Sequence, residues 1–197
     1  MSAQEHKITK ADITPYDVYA AERAERKRAL VAIKKPRRIE VGPYATFYFE
    51  NYDTMLGQVQ EMLHIERGGD AQIPGELEAY NPLIPQGDEL IATMMLEIED
   101  ATRRNAMLMR LGHVDDKVFM EIGKSRIKAT PTDYEDRTTE DGKTSSVHWL
   151  RFKLTPEQIK AFRGGDEQIV VGIAHDNYGH MAVLPVETRE ALAKDFG

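Results

Sequence analysis

"ELIATMMLEIE", residues 89–99, decides the fold class. Leu90, Ala92, Met94, Leu96 and Ile98 point one way, while Glu89, Thr93, Glu97 and Glu99 point the other. Alternation at period two is the mark of a half-buried strand. Ala, Met, Leu and Glu also favour helices, so propensity alone would read the segment as helical. The alternation outweighs it, and the segment is expected to be a strand.

Working outward, "KVFMEIG", "SRIKATPTDYE", "SVHWLRFKL" and "QIVVGIAHD" carry further strand signals, and "HMAVLP" can supply a last strand. Upstream, "RIEVGPYATFYFEN" is extended, with a kink expected at Gly42–Pro43. Helices are expected from Thr14 (as N-cap) to about Val31, over about 53–67, 75–80 and 101–111, at "TPEQIKAF", and at "VETREALAKDF". Strands and helices mix without regular alternation. This predicts an α+β fold, with a mainly antiparallel sheet of about five to seven strands and helices packed on it.

The 197 residues make one domain, 1–197, with a basic N-terminal helix and arm over about 14–38. No apolar run approaches the roughly eighteen residues of a membrane span. The polar start has no secretory h-region. With no cysteine, disulfides, thiolate metal ligation and cysteine nucleophiles are excluded. A cytoplasmic chain without membrane association is expected, and a homodimer is the default assembly.

The net charge of −7 hides an asymmetry. Residues 23–38, "RAERKRALVAIKKPRR", hold eight Lys/Arg and one Glu, leaving 18 basic and 32 acidic residues elsewhere. A solvated helix end is the favoured reading. Docking on an acidic body, of its own or another chain, is the next. Nucleic-acid binding is the least favoured, because the acidic body would repel phosphate.

"RGGDAQI" at 67 and "RGGDEQI" at 163 match at six of seven positions, but their flanks do not. Both are read as glycine helix caps rather than a repeat.

"QVQEMLHIERGGD", residues 58–70, places Glu61 and His64 three residues apart on a helix. Glu-x-x-His is a way for helices to present metal ligands. Both lie opposite the apolar stripe of Met55, Leu56, Val59, Met62 and Leu63. Gly57 leaves that polar face open to a close approach. Glu66 falls inside the apolar stripe and would need a partner there. His148 and His175 sit on strands and could complete a site for a divalent or iron-type metal. A second Glu-x-x-His is missing, so a helical-bundle dimetal centre is not expected. The acids Asp133, Glu135 and Asp136 read as a solvated loop. Ser146 and His148 share a strand face without an orienting acid. Phosphate-loop, dinucleotide and hydrolase-elbow motifs are absent.

The stretches "FYFENYDTMLGQVQEMLHIE" (47–66), "ELEAYNPLIPQGDELIATMMLEIED" (76–100), "SSVHWLRFKL" (145–154) and "GIAHDNY" (172–178) resemble an uncharacterised bacterial family, domain of unknown function 3501. The resemblance runs from about residue 10 to the C-terminal helix. Its motifs fall on Glu50, Asn51, Gln58, Glu61, Glu66, Tyr80, Asn81, His148 and His175. It implies association with rubrerythrin-like di-iron proteins and iron–sulfur oxidoreductases, hence redox or iron metabolism, without an assigned activity. Two functions are therefore expected. The first is an accessory protein for an oxidoreductase partner, binding through a polar cleft between the 53–67 helix and the sheet. The alternative is a metal-dependent enzyme using Glu61, His64 and His148 or His175.

Overall fold

The computed structural model describes residues 3–132 and 136–197. In chain order, the first half holds α1 (Tyr16–Lys34), β1 (Arg38–Val41), β2 (Ala45–Glu50), α2 (Tyr52–Glu66), α3 (Ile73–Tyr80), β3 (Glu89–Leu96) and α4 (Ala101–Arg110). The second half holds β4 (Val118–Ile122), β5 (Ser125–Lys128), β6 (Thr130–Pro131), β7 (Val147–Lys153), α5 (Pro156–Gly164), β8 (Ile169–His175), β9 (Tyr178–Val183) and α6 (Val186–Leu192).

The fold is α+β, and every strand pairing is antiparallel. The described residues form nine strands in two sheets, ordered β1-β2-β3-β7-β6 and β5-β4-β8-β9. This exceeds the expected five to seven because two segments divide: 38–50 turns at Gly42–Pro43 into the β1–β2 hairpin, and 125–132 splits into β5 and β6. Ala129 is buried and its N–H bonds Val118 O, and the chain passes there from one sheet to the other. A two-residue strand such as β6 has no periodicity for a sequence to display.

β3 is the middle strand of the five-stranded sheet. Leu90, Ala92, Met94 and Leu96 meet Phe47, Leu150 and Phe152, and across the gap Met120, Val171 and Ile173 of the second sheet. The opposite face was expected to be solvated. It is buried instead, because α2 lies over it. Ile91 packs with Met55, Val59, Leu83 and Ile84 in a second apolar cluster. The polar residues of that face survive burial by pairing. Thr93 donates to Glu50, and Glu89 pairs with Arg151 at 3.0 Å.

α2 starts from a reciprocal cap. Thr54 N donates to the Asn51 side chain, and Asn51 N donates to Thr54 Oγ1, each at 2.9 Å. It ends on Arg67, which takes the left-handed conformation (φ 57°) expected of Gly68. At the second RGGD, Gly165 does take that role (φ 86°). α1 begins after Pro15, not from a Thr14 cap; Thr14 is instead held through its backbone, its N–H and its carbonyl both bonded by the Gln60 side chain.

The basic segment is mostly solvent-exposed, as a solvated helix end would be, and three of its eight cations (Arg23, Lys27 and Arg37) dock on distant acids of the same chain. Arg23 and Lys27 pair with Glu61, Arg26 with Glu22, Arg37 with Asp195, and Arg38 with Glu40. Five of its eight cations are thus spent. Arg37 is the buried one. It also donates to the carbonyls of Phe49 and Glu50. The N-terminal strap is likewise integral: Ile8 is buried, and the Asn81 side chain bonds both its N–H (2.7 Å) and its carbonyl (3.0 Å).

Of the acids read as a solvated loop, Asp133 and Glu135 lie outside the described residues, and Asp136 accepts from Thr138 N. No helix among the described residues is long and apolar enough to cross a membrane.

The alternation yields a direct test. Phe47→Ala, in the core between the sheets, is expected to cost about 3–5 kcal/mol in urea unfolding. Tyr48→Ala, partly exposed on the other face, is expected to cost well under half of that. Equal losses would overturn the assigned register.

Candidate functional site

Glu61 and His64 share one face of α2, as their spacing requires, and that face meets α1. Gly57 permits the contact: a Cβ there would stand 2.5 Å from Leu30 Cδ2. The close approach that the glycine allows is therefore made by α1.

The Glu61 carboxylate is fully engaged. Arg23 grips both oxygens at 2.9 Å, Tyr19 Oη donates at 2.7 Å, and Lys27 stands at 3.5 Å. The Arg23 hydrogen bonds, helped by Tyr19 and Lys27, hold its carboxyl down at about 2 despite the opposing effect of burial. Burial, then the bond to Glu61, pushes the Tyr19 phenol up.

His64 is stacked on Tyr16 (5.2 Å between centroids) and edge-on to Tyr19 (5.8 Å), and its Nδ1 makes no hydrogen bond among the described residues. It lines a cavity of about 520 Å³ between the start of α1 and the end of α2. Most polar groups there are already committed. Gln60 holds both the N–H and the carbonyl of Thr14, and Lys10 pairs with Asp70.

His148 lies across the sheet from α2. It is opposite Met94 in register and 1% exposed in the core between the sheets. Its Nε2 contacts Ser145 O at 2.9 Å and Thr144 Oγ1 at 3.2 Å, and Asp115 is 3.9 Å from Nδ1. His175, at the end of β8, bonds Gly112 O through Nε2 and accepts Asn177 N–H at Nδ1. The four proposed ligands are thus not brought together: Glu61 and His64 lie beyond one face of the five-stranded sheet and His148 beyond the other. Among the described residues no group of three His, Cys, Asp or Glu is placed to hold a metal.

Glu66 is not in the apolar stripe. The helix ends there, and the exposed carboxylate accepts from Gln72 Nε2 at 2.8 Å. Asn81 is occupied in fastening Ile8.

The remaining candidates converge. Glu50, Gln58 and Tyr80 line one cavity of about 340 Å³, between α2 and the outer face of β2, β3 and β7. Tyr48, Thr93 and Trp149 share that sheet face, since Tyr48 and Trp149 both stand opposite Thr93 in register. Glu50, 6% exposed, accepts from Thr54 Oγ1 at 2.6 Å and Thr93 Oγ1 at 2.7 Å, one hydroxyl on each carboxylate oxygen. No Lys, Arg or His of the described residues comes within 4.0 Å of that carboxylate. Arg37 reaches only the Glu50 carbonyl oxygen and is itself committed to Asp195. Gln58 and Tyr80 make no side-chain hydrogen bond within the described chain.

A cleft between α2 and the sheet therefore exists as expected, but Gln58 and Met55 line it rather than Glu61 and His64. Thr54, Thr93 and Trp149 were not singled out from the sequence. Thr93 was visible as the polar residue of an alternating strand. Trp149 was visible as the neighbour of His148, facing the opposite way.

The Glu61 cluster has a pH signature. Its folded carboxyl, near 2, lies below the ordinary 4.5. Its stabilising contribution is therefore complete above pH 4.5 and is lost as the pH falls from there towards 2. The stability gap between the native chain and Glu61→Gln, followed by urea unfolding, is expected to be widest at neutral pH and to shrink steadily below pH 4.5. A gap that stays constant would refute the Arg23–Glu61 linkage.

Comparison with known proteins places this geometry in a family. Residues 7–196 match the model of the family described as protein of unknown function (DUF3501). The fold is similar to the crystal structure of a novel protein of unknown function from Burkholderia pseudomallei. The two are 31% identical with a TM-score of 0.88, over 97% of this chain and 100% of that one. No curated protein matches. With nearly its whole length matched, the chain belongs to the DUF3501 family of proteins of unknown function.

Proposed function

We propose that the chain is an accessory binding protein that holds a small molecule between α2 and the outer face of the five-stranded sheet. One observation carries this reading. Glu50 is a buried carboxylate with no cation in contact among the described residues, beside a cavity of about 340 Å³. Burying a charge is costly unless it is paired. Two threonine hydroxyls offset part of that cost, and a ligand would offset more. The free amide of Gln58 and hydroxyl of Tyr80 add polar groups that could orient it, and the volume is within the usual range for small-molecule sites.

The alternative expected from the sequence, a metal-dependent enzyme, would require Glu61 to leave Arg23, Tyr19 and Lys27. It would also require a histidine from elsewhere in the fold. Nothing in the arrangement of these residues favours it.

The partner we propose is an oxidoreductase of cytoplasmic redox or iron metabolism. This part rests on the associations implied by the family resemblance. Affinity capture of the chain from its native cells is expected to recover such an oxidoreductase. Recovery of the chain alone would remove this part and leave the cavity untouched.

The cavity itself is tested by thermal unfolding with a set of anionic, neutral and cationic small molecules. At least one is expected to raise Tm for the native chain and to lose that effect with Gln58→Phe, which fills the space. Shifts that persist unchanged in the variant, or no shift from any compound, would sink the reading.

A further inference from the structure

The small-molecule reading above leaves the chemical class of the ligand open, and the same cavity narrows it. We propose that it takes a small compound bearing an ammonium group, with the cationic head against the Glu50 carboxylate.

The charge at the floor of the cavity selects the ligand's sign. Both Glu50 oxygens accept hydroxyl hydrogen bonds, so the group is fixed in place as an acceptor. An anionic head would be repelled by it. A neutral head would leave the buried charge uncompensated. An ammonium group supplies the missing cation, and a carboxylate oxygen has lone pairs to spare beyond one hydroxyl each.

The walls agree with the floor. Trp149, Tyr80 and Tyr48 line the same space. Aromatic faces attract cations, and cages of aromatic rings are how quaternary ammonium groups are recognised. Trp149 already has a cation over its ring: the Arg137 guanidinium carbon lies 4.5 Å from the centroid. Tyr48 similarly has Arg38 at 5.8 Å.

One cation also faces the cavity. Lys34, at the end of α1, lines it and makes no ion pair with any described acid. It stands more than 4.0 Å from Glu50, so it does not neutralise the floor by contact. A ligand with an ammonium head and an anionic tail would meet both charges, which favours a zwitterion such as a betaine over a plain cation.

Trp149 is the chain's single tryptophan, so its fluorescence reports on this cavity. The experiment titrates choline and glycine betaine against their carbon isosteres, 3,3-dimethyl-1-butanol and 3,3-dimethylbutyrate. Saturable responses are expected from the two ammonium compounds, with the isosteres at least tenfold weaker. Glu50→Gln should weaken ammonium binding at least tenfold. Tyr80→Leu leaves the Thr54 and Thr93 bonds to Glu50 in place and should weaken it severalfold, so the question remains answerable if Glu50→Gln does not fold.

Isosteres that bind as tightly as the ammonium compounds would overturn the assignment. So would ammonium binding that neither variant changes, or no response to any of the four probes. If the wider thermal series still yields a ligand sensitive to Gln58→Phe, only the ammonium class fails. If that series fails as well, the small-molecule reading falls with it.

Discussion

The burial of β3 on both faces is the constraint from which the rest of the molecule follows. One face packs against the second sheet and the other against α2. A central strand covered on both sides has no solvent to satisfy its polar side chains, so each must be answered from within the fold. Thr93 is answered by Glu50, and Glu50 by Thr54, whose hydroxyl also closes the N-terminal cap of α2. Three elements are joined by this chain of hydrogen bonds. The carboxylate in its middle has no cation in contact among the described residues, and the cavity opens there. The candidate site is thus a by-product of how the sheet is covered.

The same principle of internal pairing explains α1. Its cations form an intramolecular dock, with Arg23 and Lys27 locking onto Glu61 and fixing the helix across α2. Gly57 sets how near the two helices come. The Glu-x-x-His spacing on α2 is therefore used twice for packing: the glutamate to hold a neighbouring helix, and the histidine to stack between two tyrosines of that helix.

What the sequence disclosed depended on whether local pattern or distant partners decided the outcome. The strand at 89–96 was legible because alternation is a local property, as was the inward direction of His148 from its spacing with Leu150 and Phe152. The burial of the outer face was not legible, since only tertiary packing places α2 over it. Glu66 was misplaced because a helical wheel assumes that the helix continues, and this one ends at that residue. The docking of the basic segment turned on Glu61 and Asp195, acids far away in the chain. For the site, Glu50, Gln58 and Tyr80 came to notice through family resemblance. Trp149 and Thr93 needed the pairing of β3 with β7 to bring them onto the same wall.

The strap at the N-terminus has a mechanical consequence. Asn81, which clasps both polar groups of Ile8, directly follows Tyr80, a wall of the cavity. His6 is tethered nearby through Nδ1 to Pro85 O. Displacing residues 6–8 would remove both bonds that hold Asn81 and, with Ile8, part of the apolar cluster against which Tyr80 packs. The leading segment thus ties the start of the chain to the rim of the candidate cavity. Ile8 belongs to the same apolar cluster as Met55 and Ile91, against which Tyr80 packs, so the strap and the cavity wall share one core.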